Sequence, residues 1–456
     1  MYSWAEKEVL HMDFKDLRLA KRCAILLETL GENSTASIPE ACQSAAATKA
    51  AYRFFDNDRV DSGEICNGFF DATIDRIKQH PVVFGLSDAT NIVYTSHKNL
   101  KGRGVLRNFK SRGFCEHSVF VATPDEQPLG LLYQKIWGRD PEDYGKRKLR
   151  AKLPIEQKES YRWIESLNAF SSKIPSNIQG IFIGDRGGDI YELFAAPRGK
   201  NIELLIRATF DRHLENEPQK LFATLTNLPI SGTMDVEVSR GPGRPKRTAH
   251  CTIRYASVQF KLPSNKASSS IRVPALNAIY VKEEATENIE NPIEWRLITT
   301  MPIDSLEDAK KYVQWYASRW LIERFHFTLK SGCKVEDLQL EEADRIERAI
   351  TVYSIIAWRI MFITYAARTS PDALCTKIMS VDEWEALYCF INKSVAPPIA
   401  PPTTKEAVKM LAKMGGFLGR KNDKDPGMKV IWRGLRRLGD ITEAYKIFAD
   451  RNVGND

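Results

Sequence analysis

The stretch Tyr316-Ala-Ser-Arg319-Trp-Leu-Ile-Glu323-Arg-Phe-His326-Phe-Thr-Leu-Lys330 lies in a segment, from about Leu306 to Lys330, whose residues read as one long helix. At about 100 degrees per residue, Tyr316, Arg319, Glu323 and Lys330 fall at about 0, 300, 340 and 320 degrees, an arc about 60 degrees wide. One side of one helix then presents a phenol, two cations and a carboxylate. A solvated stripe with an Arg319 to Glu323 pair at i, i+4 accounts for the charges alone. The same sector also holds Trp320 and Phe327, which a surface stripe does not need, so it is expected to face other groups.

Two further acids have the position such a face requires. Asp88 follows the apolar run Val82 to Leu86, and Asp185 follows Ile181 to Ile183. Each is the first ionised group beyond a buried strand. An Asp at a strand end is also a common turn former or helix cap. In sheets covered by helices, however, ligands collect past the carboxyl ends of the strands, and two acids there can share a hard cation. Three carboxylates and an anionic substrate fit two magnesium ions acting on a phosphodiester, with Arg319 and Lys330 gripping neighbouring phosphates.

Around these residues the chain divides by texture. Before Pro81 the pattern is helical: Phe14, Leu17, Ala20, Ala24, Leu27 and Leu30 recur at helical spacing up to Gly31, read as a C-terminal cap. A second helix opens at Pro39 and runs to Phe55, and a third is capped by Asp61 or Ser62. Short apolar runs then alternate with helical stretches, the pattern of a sheet covered by helices. Between about 212 and 291 strand-like alternation takes over and reads as a β-rich insertion. After Ser305 the chain is helical again, except for the run Pro397, Pro398, Pro401 and Pro402, which reads as a linker.

The chain has 456 residues, 43% of them hydrophobic and 27% charged, which is ordinary globular composition. Its net charge of +8 is clustered. Lys98, Lys101, Arg103, Arg107, Lys110 and Arg112 form an acid-free, glycine-interleaved loop, and Arg240, Arg244, Lys246 and Arg247 a second acid-free run. A third region, Thr404 to Leu438, holds ten basic residues against Glu406, Asp423 and Asp425. Any one run fits a solvated face, and the three together turn the expectation toward nucleic acid. Eight cysteines without a Cys-x-x-Cys pair suggest neither a disulfide scaffold nor a zinc knuckle, which fits a reducing cytoplasm. The charged stretch Met1 to Lys21 lacks the apolar core of a signal peptide. Ala349 to Ala367 is long and apolar, but Arg359 at its centre makes it a core helix rather than a membrane span.

The Tyr316, Arg319, Glu323 and Lys330 spacing resembles the Tyr-Arg-Glu-Lys signature of the bacterial cut-and-paste DDE transposases of insertion-sequence family four, most closely the branch of the Tn-five transposase. Blocks in the same order extend the likeness over nearly the whole chain: Ala51-Tyr52-Arg53-Phe54, Ser87-Asp88-Ala-Thr90, Asp185-Arg186-Gly-Gly-Asp189-Ile190, Trp295-Arg-Leu-Ile-Thr299 and Gly415-Gly416-Phe417. The resemblance implies an α/β fold, an RNase H-like catalytic core with a β insertion before the last acid. The core, residues 63–394, is flanked by an N-terminal helical DNA-binding domain (1–62) and a C-terminal helical dimerisation region (395–456).

It implies that Asp88, Asp185 and Glu323 are the catalytic acids and hold two Mg²⁺ or Mn²⁺ ions, that Tyr316, Arg319 and Lys330 contact the transposon-end backbone, and that a flipped base stacks on Trp295 during hairpin formation. A tryptophan of the strand core is the other reading of Trp295. Where the family usually has Glu two residues after the second acid, this chain has Gly187. His326 either orients the acids or packs. Further DNA contacts are expected from Arg53, from Arg103, Arg107, Lys110 and Arg112, and from Arg244, Lys246 and Arg247. The implied partners are double-stranded DNA, as transposon end repeats and target, and a second copy of the chain on paired ends, with no membrane. In the tail, Gly415 and Gly416 are expected to let helices approach closely and Trp432 to anchor the dimer. The setting implied is the bacterial cytoplasm, at the nucleoid when DNA-bound. A nuclease that cuts without joining and a catalytically idle DNA-binding repressor are the rivals.

Overall fold

The computed structural model describes the chain except residues 1–2, 107–109, 144–152, 216, 239–245, 264–271, 285–290, 422 and 453–456. Arg107, Arg240 and Arg244 therefore lie outside the described residues. The N-terminal part is five helices: α1 (Trp4–Val9), α2 (Leu17–Glu32), α3 (Ile38–Cys42), α4 (Ala45–Phe55) and α5 (Ser62–Ile77). Side chains of Ser3, Asp16, Ser37, Ser44 and Asp61 cap the first backbone amides of these helices in turn. Two expectations need correction. Gly31 is inside α2, which continues to a cap at Asn33. The helix expected from Pro39 to Phe55 is two helices, broken at Gln43, whose left-handed backbone (φ 55°) ends α3 and lets Ser44 start α4.

The centre is one sheet in the order β2-β3-β1-β5-β6-β10-β9-β8-β7, with β4 on β3. Its strands are β1 (Val82–Val93), β2 (Gly104–Val105), β3 (Arg112–Ala122), β4 (Pro128–Trp137), β5 (Gln179–Gly184), β6 (Ile202–Arg207), β7 (Gly232–Val238), β8 (Arg247–Val258), β9 (Leu276–Glu283) and β10 (Glu294–Thr299). Strands β1, β5 and β6 run parallel, and β3 and β4 are antiparallel to their neighbours. The order β4-β3-β1-β5-β6 with these directions is the RNase H-like arrangement. Strands β7 to β9 join it through β10, which pairs with β6 on one side and β9 on the other, so the insertion lengthens the same sheet. Helices α6 (Arg162–Lys173), α7 (Tyr191–Ala195) and α8 (Leu221–Asn227) lie in the connections.

The long helix expected from Leu306 to Lys330 is broken. Helix α9 (Leu306–Ala317) ends in a tight turn in which Arg319 N bonds Tyr316 O at 3.0 Å, and α10 (Trp320–Phe327) follows. A π-helical turn, Thr328–Gly332, then closes with Cys333 N on Thr328 O at 2.9 Å. Both changes of hydrogen-bond register shift the angular phase, so the 60-degree arc read from a straight helix does not hold. The long apolar stretch is α11 (Ala343–Thr369). It is long and apolar enough to cross a membrane, but 94% of its most apolar part is buried inside the fold. Arg359 is buried there, donates to the Ile378 carbonyl, and lies over the Trp4 ring at 5.3 Å.

Helices α12 (Val381–Asn392), α13 (Thr404–Met414) and α14 (Met428–Asn452) complete the chain. With the end of α11 they enclose a second apolar cluster that includes Ile363, Trp384, Leu387, Val408, Leu411, Ile431 and Leu438. A methyl group at Gly415 would collide with the Val430 carbonyl, and one at Gly434 with the Leu411 carbonyl. The close helix approach expected of Gly415 is thus made within the chain, whereas Gly416 has open space beside it. Trp432, expected to anchor a dimer, is buried against Phe327 of its own chain at 5.9 Å.

Candidate active site

Parallel pairing brings two of the acids together. The β1–β5 register ends at Ser87 opposite Gly184, so the next residue on each strand is Asp88 and Asp185. Asp88 is not past the end of its strand as expected: β1 continues to Val93 because its outer half stays paired with β3, Asp88 opposite Ser118. Asp185 does end its strand, and its Oδ1 accepts from Gly187 N at 2.7 Å, starting a short turn. Gly187, where a Glu was expected by resemblance, has Trp163 packed too closely for a side chain.

The third acid arrives from α10. Arg319 sits at its N-terminus, and one guanidinium bonds both Asp88 Oδ2, at 3.3 Å, and Glu323 Oε1. Burial pushes the Asp88 carboxyl up, an effect offset in part by His326 and Arg319. Burial works against the charge on Arg319, but the carboxylates of Glu323, Asp88 and Asp185 favour it and keep the guanidinium charged. Asp88 and Glu323 therefore meet on one cation, with Asp185 adding to its field from the neighbouring strand end. The donors are all carboxylate oxygens, the type that a hard divalent ion takes. With the guanidinium between Asp88 and Glu323, no three His, Cys, Asp or Glu side chains among the described residues converge as a metal-ligand group.

Of the other residues of the expected face, Tyr316 stays beside Arg319 and Lys330 is drawn away. Tyr316 is buried, its hydroxyl pushed up by burial, and its ring meets Trp295 edge-to-face at 5.2 Å. Lys330, carried away by the π turn, donates to Asn91 O at 2.8 Å and pairs with Glu336 at 3.2 Å. Trp295, half-buried on β10, lines a cleft of about 930 Å³ with Tyr316, Arg319, Trp320, Glu323 and Phe327. Arg186, Arg207, Arg296 and Arg324 line the same cleft, and the sequence reading missed all four. Their signal was available as isolated cations at the end of β6, on β10 and beside two of the acids, but no run of charge marked them.

The basic runs fare differently. Arg103 donates to the carbonyls of Tyr94, His97 and Lys98, so it ties down its own loop. Arg112 starts β3, and Lys110 is exposed. Lys246 pairs with Glu237, and Arg247 makes a two-pronged pair with Glu283. Arg53 is exposed on α4, beside a groove shared with Lys49, Tyr52 and Arg345. The structure brings none of these to the acids.

Three family models match the chain in order. Transposase DNA-binding covers residues 1–60, Transposase DDE domain covers 164–359, and Transposase Tn5 dimerisation domain covers 355–450. The second match holds Asp185 and Glu323 and begins after Asp88, which reaches them through the β1–β5 pairing. The third begins inside α11, the helix shared by both apolar clusters.

Proposed function

The chain belongs to the Tn5-like DDE transposases, DNA-binding and dimerising enzymes that use divalent metal, and from that premise we propose that it performs cut-and-paste transposition: each end is nicked, the freed 3′-hydroxyl attacks the opposite strand to form a hairpin, the hairpin is reopened, and the end is joined to target DNA. The observation that carries this reading is the meeting of Asp88 and Glu323 on one guanidinium, with Asp185 following the same parallel strands. In this reading the three carboxylates hold two Mg²⁺ or Mn²⁺ ions, which supply activation of water or the 3′-hydroxyl and stabilisation of the leaving oxygen. Arg319 moves to a backbone phosphate, for which its fork is suited, leaving the acids to those ions. The arginine-lined cleft holds the strand being cut. Two copies act on paired ends, with residues 1–62 binding the end repeat, 63–394 carrying the chemistry and 395–456 contributing to pairing. The test is incubation with DNA carrying the element's own ends and Mg²⁺ or Mn²⁺, with products resolved on a denaturing gel. Nicks without hairpins or joined products would leave a nuclease.

Two predictions arise here. Arg319→Gln should weaken end binding across all sequences and lower the slope of log affinity against log salt by about 0.9, the loss of one phosphate contact; titrations at several salt concentrations measure it. Trp295→Ala should leave the first nick within a few-fold of the parent rate and impair the hairpin, because the flipped base loses its stacking surface and unstacking costs roughly a few kcal/mol. A collapsed melting transition with loss of the nick would assign Trp295 to the core instead.

A further inference from the structure

Behind the acids lies a buried polar chain that the chemistry above does not use. Glu116 on β3 has no exposed surface. Its Oε1 accepts from Ser118 Oγ and from Gln134 Nε2 at 3.2 Å, and Gln134 also donates to Ser354 of α11 at 2.8 Å. Its Oε2 lies 3.2 Å from His326 Nε2. His326 is 6% exposed. Burial pushes its imidazole down, but Glu116, with Asp88 beyond it, outweighs burial and holds it above its ordinary value.

The two ends of this pair sit beside two of the acids. His326 follows Glu323 by about one turn of α10. Glu116 bonds Ser118, which stands opposite Asp88 in the β1–β3 register. Between α10 and β3, Phe325 also packs on Phe120 at 5.3 Å, and Trp320 Nε1 at the start of the helix donates to Glu126 Oε1 in the β3–β4 turn at 3.2 Å. The polar contacts at the two ends of the helix set its rotation, since apolar packing is non-directional. A buried ion pair is different: each charge left alone is costly, so the helix has one favoured rotation. For stability such a pair is dispensable, since well-packed apolar residues commonly replace one without loss.

We propose that Glu116 and His326 are positioning residues that fix the rotation of α10 against β3, so that Glu323 faces Asp88. The proposal rests on the reading of Asp88, Asp185 and Glu323 as the catalytic acids.

The experiment compares the full chain with Glu116→Leu, His326→Leu, the Glu116→Leu/His326→Leu pair, His326→Gln and Glu323→Gln. It measures melting, end binding, Mn²⁺ binding by the protein on end DNA, and single-turnover nicking per folded molecule below the lowest transition. Each single leucine variant should melt lower, having left one buried polar group without its partner. The double variant should regain most of that loss and bind end DNA normally, yet nick at least tenfold more slowly and need at least tenfold more Mn²⁺. His326→Gln, which keeps a donor for Glu116, should nick faster than His326→Leu; if the double variant does not recover its melting point, this comparison decides. Parental nicking and Mn²⁺ binding by the double variant, or equal rates for His326→Gln and His326→Leu, would reduce the pair to a packing element. Parental nicking by Glu323→Gln would overturn the acid reading itself, an outcome separate from either.

Discussion

Alanine in place of Asp88, Asp185 or Glu323 is expected to lower strand cleavage by roughly a thousandfold or more, because placement of metal charge at a phosphodiester contributes several kcal/mol of transition-state stabilisation. End binding should survive in all three. The variants should differ in stability. Asp88 pairs with Arg319 in surroundings whose burial already disfavours its charge, and Arg319 keeps Glu323 as its partner when Asp88 is gone, so Asp88→Ala offsets the lost ion pair by removing a desolvated carboxylate and should melt close to the parent. Asp185→Ala loses the acceptor for Gly187 N, and Asp185→Asn, which keeps an oxygen there, should restore melting without restoring cleavage. Rates from single-turnover gels, set beside melting curves, separate the two effects. Any one variant that nicks at the parental rate removes that acid from the chemistry.

The parts of this site that were legible in the sequence are the local ones. Ile181 to Ile183 is a short apolar run ended by Gly184 and Asp185, and the chain does leave the sheet there. Asp88 was picked for a similar reason, but its strand runs on because β3, supplied by later residues, keeps pairing with it. The break before α10 was invisible, since no proline or glycine lies between Tyr316 and Glu323. The π turn adjoins Trp432, about a hundred residues away, and no local window contains that contact. Charge runs misled in the same way: Arg247 looks unpaired in its own window, while Glu283 reaches it from β9. Glu116 lies in β3, and only the fold supplies its partners from β4 and α10.

Trp432→Ala is the second large effect expected, and it bears on whether the C-terminal helices are a detachable pairing device. The Trp432 ring is 6% exposed, lies 5.9 Å from Phe327 at the end of α10, and fills the space where a side chain on Gly332 would meet it at 2.7 Å. Next to it, Thr328 in the π turn contacts the Met428 sulfur at 3.0 Å. Truncation to alanine opens a cavity in this contact and should cost about 3–5 kcal/mol, a large share of the roughly 5–15 kcal/mol that holds a domain folded. The cavity adjoins the segment that carries Glu323, so nicking should fall even below the melting transition, and Trp432→Phe should return most of both. The same contact decides what removal of residues 395–456 is expected to do. Without α13 and α14, the end of α11 and the π turn lose their cover, so the shortened chain should lose cooperative melting and single-end binding together. A shortened chain that melts cooperatively and binds single ends, or a Trp432→Ala variant that melts with the parent, would make the tail a separate unit whose loss affects pairing alone.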